Sequence, residues 1–346
     1  MTATQLESPR LVLFRRIALA AALLTFVVVV LGAWVRLSAA GLGCPDWPGC
    51  YGHLTPSAAA GNIERITEAF PDRPFEYDKA LKEMVHRYFA TTLGVLILVL
   101  AAFAVANRKD PGQPVALPLA LVGLVVFQGL LGKWTVTLLL KPLIVVLHLL
   151  GGLTTLALLA WLAMKPRSAS RGAAPQSSPA QPGGAARRLR LVTNVALVVL
   201  VAQIALGGWT SSNYAALACP DFPTCQNEWW PEMDAGEAFV LWRGLGIDYE
   251  GGVLDHPARV AIHFVHRLGA IAAAVALAWL AVAAWRRGET PAVRAAGVLV
   301  GAVLIAQLIL GPIMVMRALP LGLATAHNAV AALLLLSVVR LKRLTA

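Results

Sequence analysis

The chain has 346 residues, of which 58% are hydrophobic and 14% charged, and it carries a formal net charge of +11. Its apolar residues come in long blocks, which excludes a soluble globular domain and a disordered chain. The positive excess follows the ends of those blocks on one side, so membrane topology accounts for it and a nucleic-acid partner does not.

In chain order, eight blocks are long enough to cross a hydrocarbon core of ~30 Å, which takes roughly 20 apolar residues in a helix. They lie near 12–34, 83–106, 116–139, 142–164, 190–212, 258–285, 292–316 and 321–340. The first block runs on into Trp34, Val35 and Arg36 with no cleavage site, so it reads as a retained helix preceded by no organelle transit peptide. Large loops follow the first and fifth blocks, at 35–82 and 213–257, and short surface helices are expected within them around 61–70 and 233–241. Residues 139–142 and 317–320 barely turn the chain, and 165–190, rich in Pro, Gly, Ser and Ala, reads as a flexible linker. An even number of spans puts both termini on one side, where Lys and Arg collect; acidic residues collect opposite. The termini are therefore expected in the cytoplasm and the two large loops on the periplasmic side of a bacterial inner membrane.

The chain repeats itself. GAWVRLSAAGLGCPDWPGC at 32–50 returns as GGWTSSNYAALACPDFPTC at 207–225, an offset of 175 from Gly32 to Gly207. His86-Arg87 returns as His266-Arg267 at an offset of 180, and Gln128, Gly132 and His148 return as Gln307, Gly311 and His327 at an offset of 179. Each half holds four spans, so both copies enter the membrane in the same direction. These features predict an all-α integral membrane protein of eight transmembrane helices, built as two tandem four-helix bundles related by a pseudo-twofold axis along the membrane normal. The halves are 1–164 and 191–346, joined by 165–190.

Seven histidines are present. His53 and His256 read as loop residues. His86 and His266 fall in the first turns of the second and sixth spans, and His148 and His327 in the second turn of the fourth and eighth. Facing helices that each give one imidazole suit bis-histidine haem ligation. The alternative, histidines that only hydrogen-bond at helix contacts, accounts poorly for two matched pairs. No Cys or carboxylate set completes a zinc site beside either pair. Arg36, Arg87, Arg259, Arg267 and Arg317 lie at outer helix ends, where they either pair with haem propionates or extend to the interface. Gly94, Gly132, Gly151, Gly152, Gly269 and Gly311 admit either a flat macrocycle or close helix packing.

One position breaks the repeat: Glu83, at an offset of 180, becomes His263. Residues three apart share a helix face, so Glu83 is expected beside His86 and toward any haem bound there. The competing expectation is an interfacial glutamate facing water. The four cysteines, as Cys44–Cys50 and Cys219–Cys225, are expected to form local disulfides outside the cytoplasm, as structural staples or as a labile redox pair. The Cys-x-x-Cys-His of c-type haem attachment is absent from the sequence.

RLSAAGLGCPDWPGC, EMVHR, HLLGG at 148–152, HFVHRLG and HNA at 327–329 together resemble haem A synthase. The resemblance runs over nearly the whole chain apart from 165–190. It implies an oxidoreductase that converts the C8 methyl group of haem O to a formyl group, giving haem A for terminal oxidases. It implies His86 and His148 as ligands of the substrate haem O, and His266 and His327 as ligands of the iron of a resident haem b. Glu83 matches the family's carboxylate near the substrate methyl, and Cys44 and Cys50 its cysteine pair; CPDFPTC is not universal in that family. The partners so implied are the lipid bilayer, a haem O synthase, a membrane electron acceptor and a further copy of the chain. Two rivals share the histidines: a non-catalytic b-type cytochrome, which gives Glu83 no purpose, and a haem-handling transporter or chaperone.

Overall fold

The structure, a computed structural model, describes residues 8–164 and 184–345. Eight of its helices are long and apolar enough to cross a membrane. They are α1 (Pro9–Leu37), α4 (Tyr77–Ala106), α5 (Ala116–Thr137), α6 (Pro142–Ala163), α7 (Gly184–Ser212), α9 (His256–Arg287), α10 (Pro291–Met316) and α11 (Leu321–Thr345). Short helices α3 (Ile63–Ala69) and α8 (Ala235–Ala238) lie in the two large loops where they were expected, and a further one, α2 (Pro56–Ala60), precedes α3. Among the described residues no strand forms; isolated bridges join Cys50 to His53 and Cys225 to Glu228.

Local chemistry sets the helix ends. Ser8 caps α1 ahead of Pro9 by accepting from the Leu11 amide at 3.2 Å, and Thr290 caps α10 ahead of Pro291 by accepting from Val293 at 3.3 Å. The tight turns after α5 and α10 each use two adjacent residues at positive φ, Leu139-Leu140 and Ala318-Leu319. Two helix starts differ from the hydropathy reading. α4 begins at Tyr77 rather than near 83, which places His86 deeper along its helix than expected. The expected linker falls at 165–183 outside the described residues, while its last part, 184–190, is the first turns of α7. Ala-Ala-Arg-Arg-Leu-Arg is strongly helix-forming, and its charge hid it from a hydropathy window.

Helix α1 packs on α4 and α6, and α5 on α4 and α6; in the second half α9 packs on α7 and α10, and α11 on α10 and α7. The halves meet where α1 and α6 contact α11 and where α6 contacts α7. Interior seams are filled by Phe14, Ile97, Leu100, Leu121 and Leu159 on one side and by Leu277, Leu280, Leu304, Leu334 and Val338 on the other. Outward-facing Leu23, Val126, Val198, Ile271, Val275 and Ile305 are exposed, the pattern of a surface solvated by lipid.

Candidate functional site

Each of the four repeated histidines meets a glycine on a neighbouring helix. A Cβ built on Gly32 would lie 3.0 Å from His86 Cε1, and one on Gly207 would lie 3.2 Å from His266 Cε1. The same construction puts Gly132 at 3.7 Å from His148 Cε1 and Gly311 at 3.5 Å from His327 Cε1. Gly32 and Gly207 therefore give room to the imidazoles, whereas at Gly132 and Gly311 the ring stands at ordinary contact distance. Gly151 and Gly269 instead make room for the amides of Gln128 and Gln203, while Gly94 and Gly152 are ordinary packing contacts against Val125 and Val29. In each half the two histidines stand on helices that share their neighbours: α4 and α6 both pack on α1 and α5, and α9 and α11 both pack on α7 and α10.

All four rings are half-buried. The Nδ1 atoms of His86, His148 and His327 are shielded from water and lack a hydrogen-bond partner. Unpaired imidazole nitrogens inside an apolar bundle are costly unless something binds them. Two neutral nitrogen donors per site, with no third His, Cys, Asp or Glu gathered near them among the described residues, match the axial ligation of a haem rather than a zinc or calcium site.

Glu83 is 5% exposed, so it does not face water. Its Oε2 accepts from the Cys44 amide at 2.9 Å, and its Oε1 pairs with Arg87 at 2.5 Å, one helical turn on. His263, its counterpart, is 4% exposed and accepts from the Cys219 amide through Nδ1 at 3.2 Å, while Arg267 reaches its Nε2 at 3.3 Å. One position thus anchors the disulfide loop to the helix in both halves, through a carboxylate in one and an imidazole in the other. The sequence offset revealed the exchange of residues but not this shared bond.

The arginines divide by what they touch. Arg87 donates to the carbonyls of Asp46, Pro48 and Gly49, and Arg267 to those of Cys219, Asp221 and Thr224. Both serve as clamps on the loops. Arg36 donates to the Ser211 carbonyl at 2.5 Å and lies 4.2 Å over the Tyr214 ring, so it joins the two halves. Arg317 is exposed at the end of α10, and Arg259 Nε is buried without a partner. Cys44–Cys50 and Cys219–Cys225 are both disulfide-bonded and buried, which suits staples better than an accessible redox pair. Sequence reasoning missed Gln203, whose side chain bonds His266; having no counterpart in the first half, it left no mark in the repeat.

The fold and these side chains define a polytopic helical membrane protein with two matched histidine pairs and two disulfide-stapled loops. A family model described as cytochrome oxidase assembly protein (COX15-CtaA) matches residues 15–339, and the chain belongs to that family. It is 44% identical to the haem A synthase of Shewanella oneidensis over 91% of each chain. It is 28% identical to the haem A synthase of Rhizorhabdus wittichii, over 91% of this chain and 88% of that one. It is also 29% identical to the haem A synthase of Sphingopyxis alaskensis, over 91% and 87%.

Proposed function

We propose that this protein makes haem A by oxidising the C8 methyl group of haem O to a formyl group within a bacterial inner membrane. The relatives that carry this activity in their names align with nearly its full length. The observation that carries the reading within the chain is the broken symmetry at one buried position, Glu83 against His263, three residues before a histidine in each half. The first half is then the reaction side, with His86 and His148 orienting substrate haem O. The second is the electron-transfer side, with His266 and His327 holding haem b. The two halves, 1–164 and 191–346, form tandem bundles about an axis along the membrane normal, with termini in the cytoplasm and disulfide loops in the periplasm.

Haem b, when bound, supplies an iron that exchanges single electrons. The chain's own part is orientation, exclusion of water and proton handling. His86 packs closely on Gly32 and His148 lies beside Gly132, so the two rings approach from different helix pairs, α1–α4 and α5–α6. Oxidising a methyl group releases protons as well as electrons, so a base must stand near the carbon. Glu83 is that base: its carboxylate is oriented by Arg87 and the Cys44 amide, and a carboxylate fixed in an apolar surround also stabilises positive charge that develops beside it. Arg317, exposed at the outer end of α10, is the candidate propionate partner on the second half, whereas Arg36, Arg87 and Arg267 would have to exchange their present carbonyl contacts to serve there. Electrons leave to a membrane acceptor, and substrate arrives from a haem O synthase.

Haem extraction from the purified protein, made in cells supplied with haem O, tests this. Formyl-bearing haem in the wild type, and haem b alone in the Glu83→Ala variant, is expected. Haem b alone in the wild type identifies a cytochrome instead.

A further inference from the structure

We infer that a cleft at the seam between the two halves is a binding site for one anionic phospholipid, with an acyl chain in the cleft and the phosphate on Arg343.

The cleft is bounded by α1 and α6 from the first half and by α11 from the second. Its floor is Ala22, Leu156 and Ala160, all buried, and its rim is Leu19, Leu23 and Leu333, all exposed, so it opens toward lipid. Its volume is about 390 Å³, large enough for a small-molecule site, and every residue that lines it is apolar. Along α6 it runs from Leu156 to Met164, about 12 Å at ~1.5 Å per residue. That is most of one leaflet's share of a hydrocarbon core of ~30 Å, so its length suits an acyl chain lying along the seam.

The cleft is separate from the histidine sites. Nine residues divide Leu23 from Gly32 on α1 and Leu336 from His327 on α11, two and a half turns at about 3.6 residues each. The cleft and the histidines therefore use opposite faces of both helices, and the tail of a haem held by those histidines would have to pass around a helix to enter it.

Charge selects the lipid. Arg343 reaches the end of the cleft, where its Nη2 donates to the carbonyl of Met164, a lining residue, at 3.4 Å. Its guanidinium lies 4.5 Å over the Trp161 ring, and its Nε is shielded from water with no hydrogen-bond partner among the described residues. Capping the last carbonyl of α6 accounts for the first contact but leaves Nε unsatisfied, and a phosphate oxygen is the acceptor that suits it. The three helices that form the cleft contain no Asp or Glu, while Arg15 and Arg16 stand within one turn of Leu19 toward the same end and Lys342 stands beside Arg343. Basic groups at the end of an apolar cleft between spanning helices match an anionic headgroup. A zwitterionic lipid offers the same chain but brings a cation of its own into that positive field.

The test uses the full chain, delipidated in an uncharged detergent and titrated with phosphatidylglycerol or phosphatidylcholine, with bound lipids counted by native mass spectrometry. One phosphatidylglycerol is expected to bind roughly tenfold more tightly than phosphatidylcholine. Arg343→Gln is expected to lose that preference and keep the weaker binding that the chain alone provides. Arg286→Gln, at the same membrane face on α9, which does not line the cleft, is expected to keep it. Ala163→Phe fills the cleft and is expected to abolish binding of both lipids. Equal binding of the two lipids by the wild type, a preference that Arg343→Gln keeps or Arg286→Gln loses, or binding that survives Ala163→Phe overturns the inference. So does an isoprenoid quinone retained in place of phospholipid, or a second copy of the chain released only by Ala163→Phe, since each gives the cleft another occupant. If Ala163→Phe does not fold, the two arginine variants decide.

Discussion

At the scale of single residues, the position occupied by Glu83 and His263 carries two duties that mutation can separate. Both side chains accept from the amide of the first cysteine of the adjoining loop, and both contact the arginine one turn on. Glu83→His places the second half's residue in the first half, so the loop keeps its anchor and the site loses its carboxylate. The folded protein and its haem b are expected to survive, while haem A formation falls by roughly 10²–10⁴-fold, the usual share of a positioned general base. The readout is extracted formyl haem per bound haem b; normal product from this variant would remove Glu83 from the chemistry. The exchange was legible in the sequence because residues at a fixed offset can be compared. The bond to Cys44 was not, since it spans 39 positions and depends on how the loop folds back.

At the scale of elements, each disulfide loop is organised by an aspartate that accepts from main-chain amides. Asp46 takes Tyr51 at 2.6 Å and Gly52 at 2.8 Å; Asp221 takes Gln226 at 2.8 Å, Asn227 at 3.0 Å and the Thr224 hydroxyl at 2.5 Å. Burial pushes the Asp221 carboxyl upward, but the Thr224, Asn227 and Gln226 donors outweigh it and hold it below its ordinary value of 3.8. A depressed carboxyl contributes stability at pH above its unfolded value and loses it as pH falls through the folded one. Hydrogen exchange at residues 219–228 is therefore expected to accelerate as pH drops below 3.8, after correction for intrinsic rates. Asp221→Asn should remove that dependence and weaken the loop by about 1 kcal/mol at neutral pH, because its amide nitrogen would face donors. An unchanged acid response in Asp221→Asn would assign the effect elsewhere. The hydrophobic blocks found the spanning helices but set the starts of α4 and α7 too late. Their first turns are helix-forming and charged, and a hydropathy window registers only the apolar part.

At the scale of the whole molecule, the second large loop lies across the first half. Arg73 pairs with Asp248 at 2.5 Å and Glu250 at 2.9 Å, and the Tyr249 amide donates to the Leu139 carbonyl at 3.0 Å. Lys141, 2% exposed in the turn before α6, donates to the carbonyls of Arg243 at 2.6 Å and Gly244 at 2.8 Å and lies 3.7 Å over the Trp242 ring. Lys141→Ala leaves both carbonyls without that donor and is expected to cost about 1–3 kcal/mol. Arg73→Ala, at a half-exposed pair, is expected to cost about 1 kcal/mol or less and to lose its effect in high salt. Thermal unfolding in detergent at two salt concentrations measures both, and an Arg73 variant as damaging as the Lys141 variant would reverse this ranking. The sequence marked these loops as large and as lying on the side where acidic residues collect. It did not say that the loop of one half covers the turn of the other.

The sequence by itself determined the solvent, the spans, the duplication, the four matched histidines and the one unmatched carboxylate. Those are properties of composition and of spacing along a single chain, and hydrophobic length and helical periodicity translate them directly into elements. Only the tertiary structure decided which groups meet: Glu83 with Cys44, Arg36 with Ser211, Lys141 with Arg243, and Gln203 with His266. The physical reason is that a buried polar atom must find whichever partner packing brings within about 3 Å, and helix packing sets that distance independently of separation along the chain.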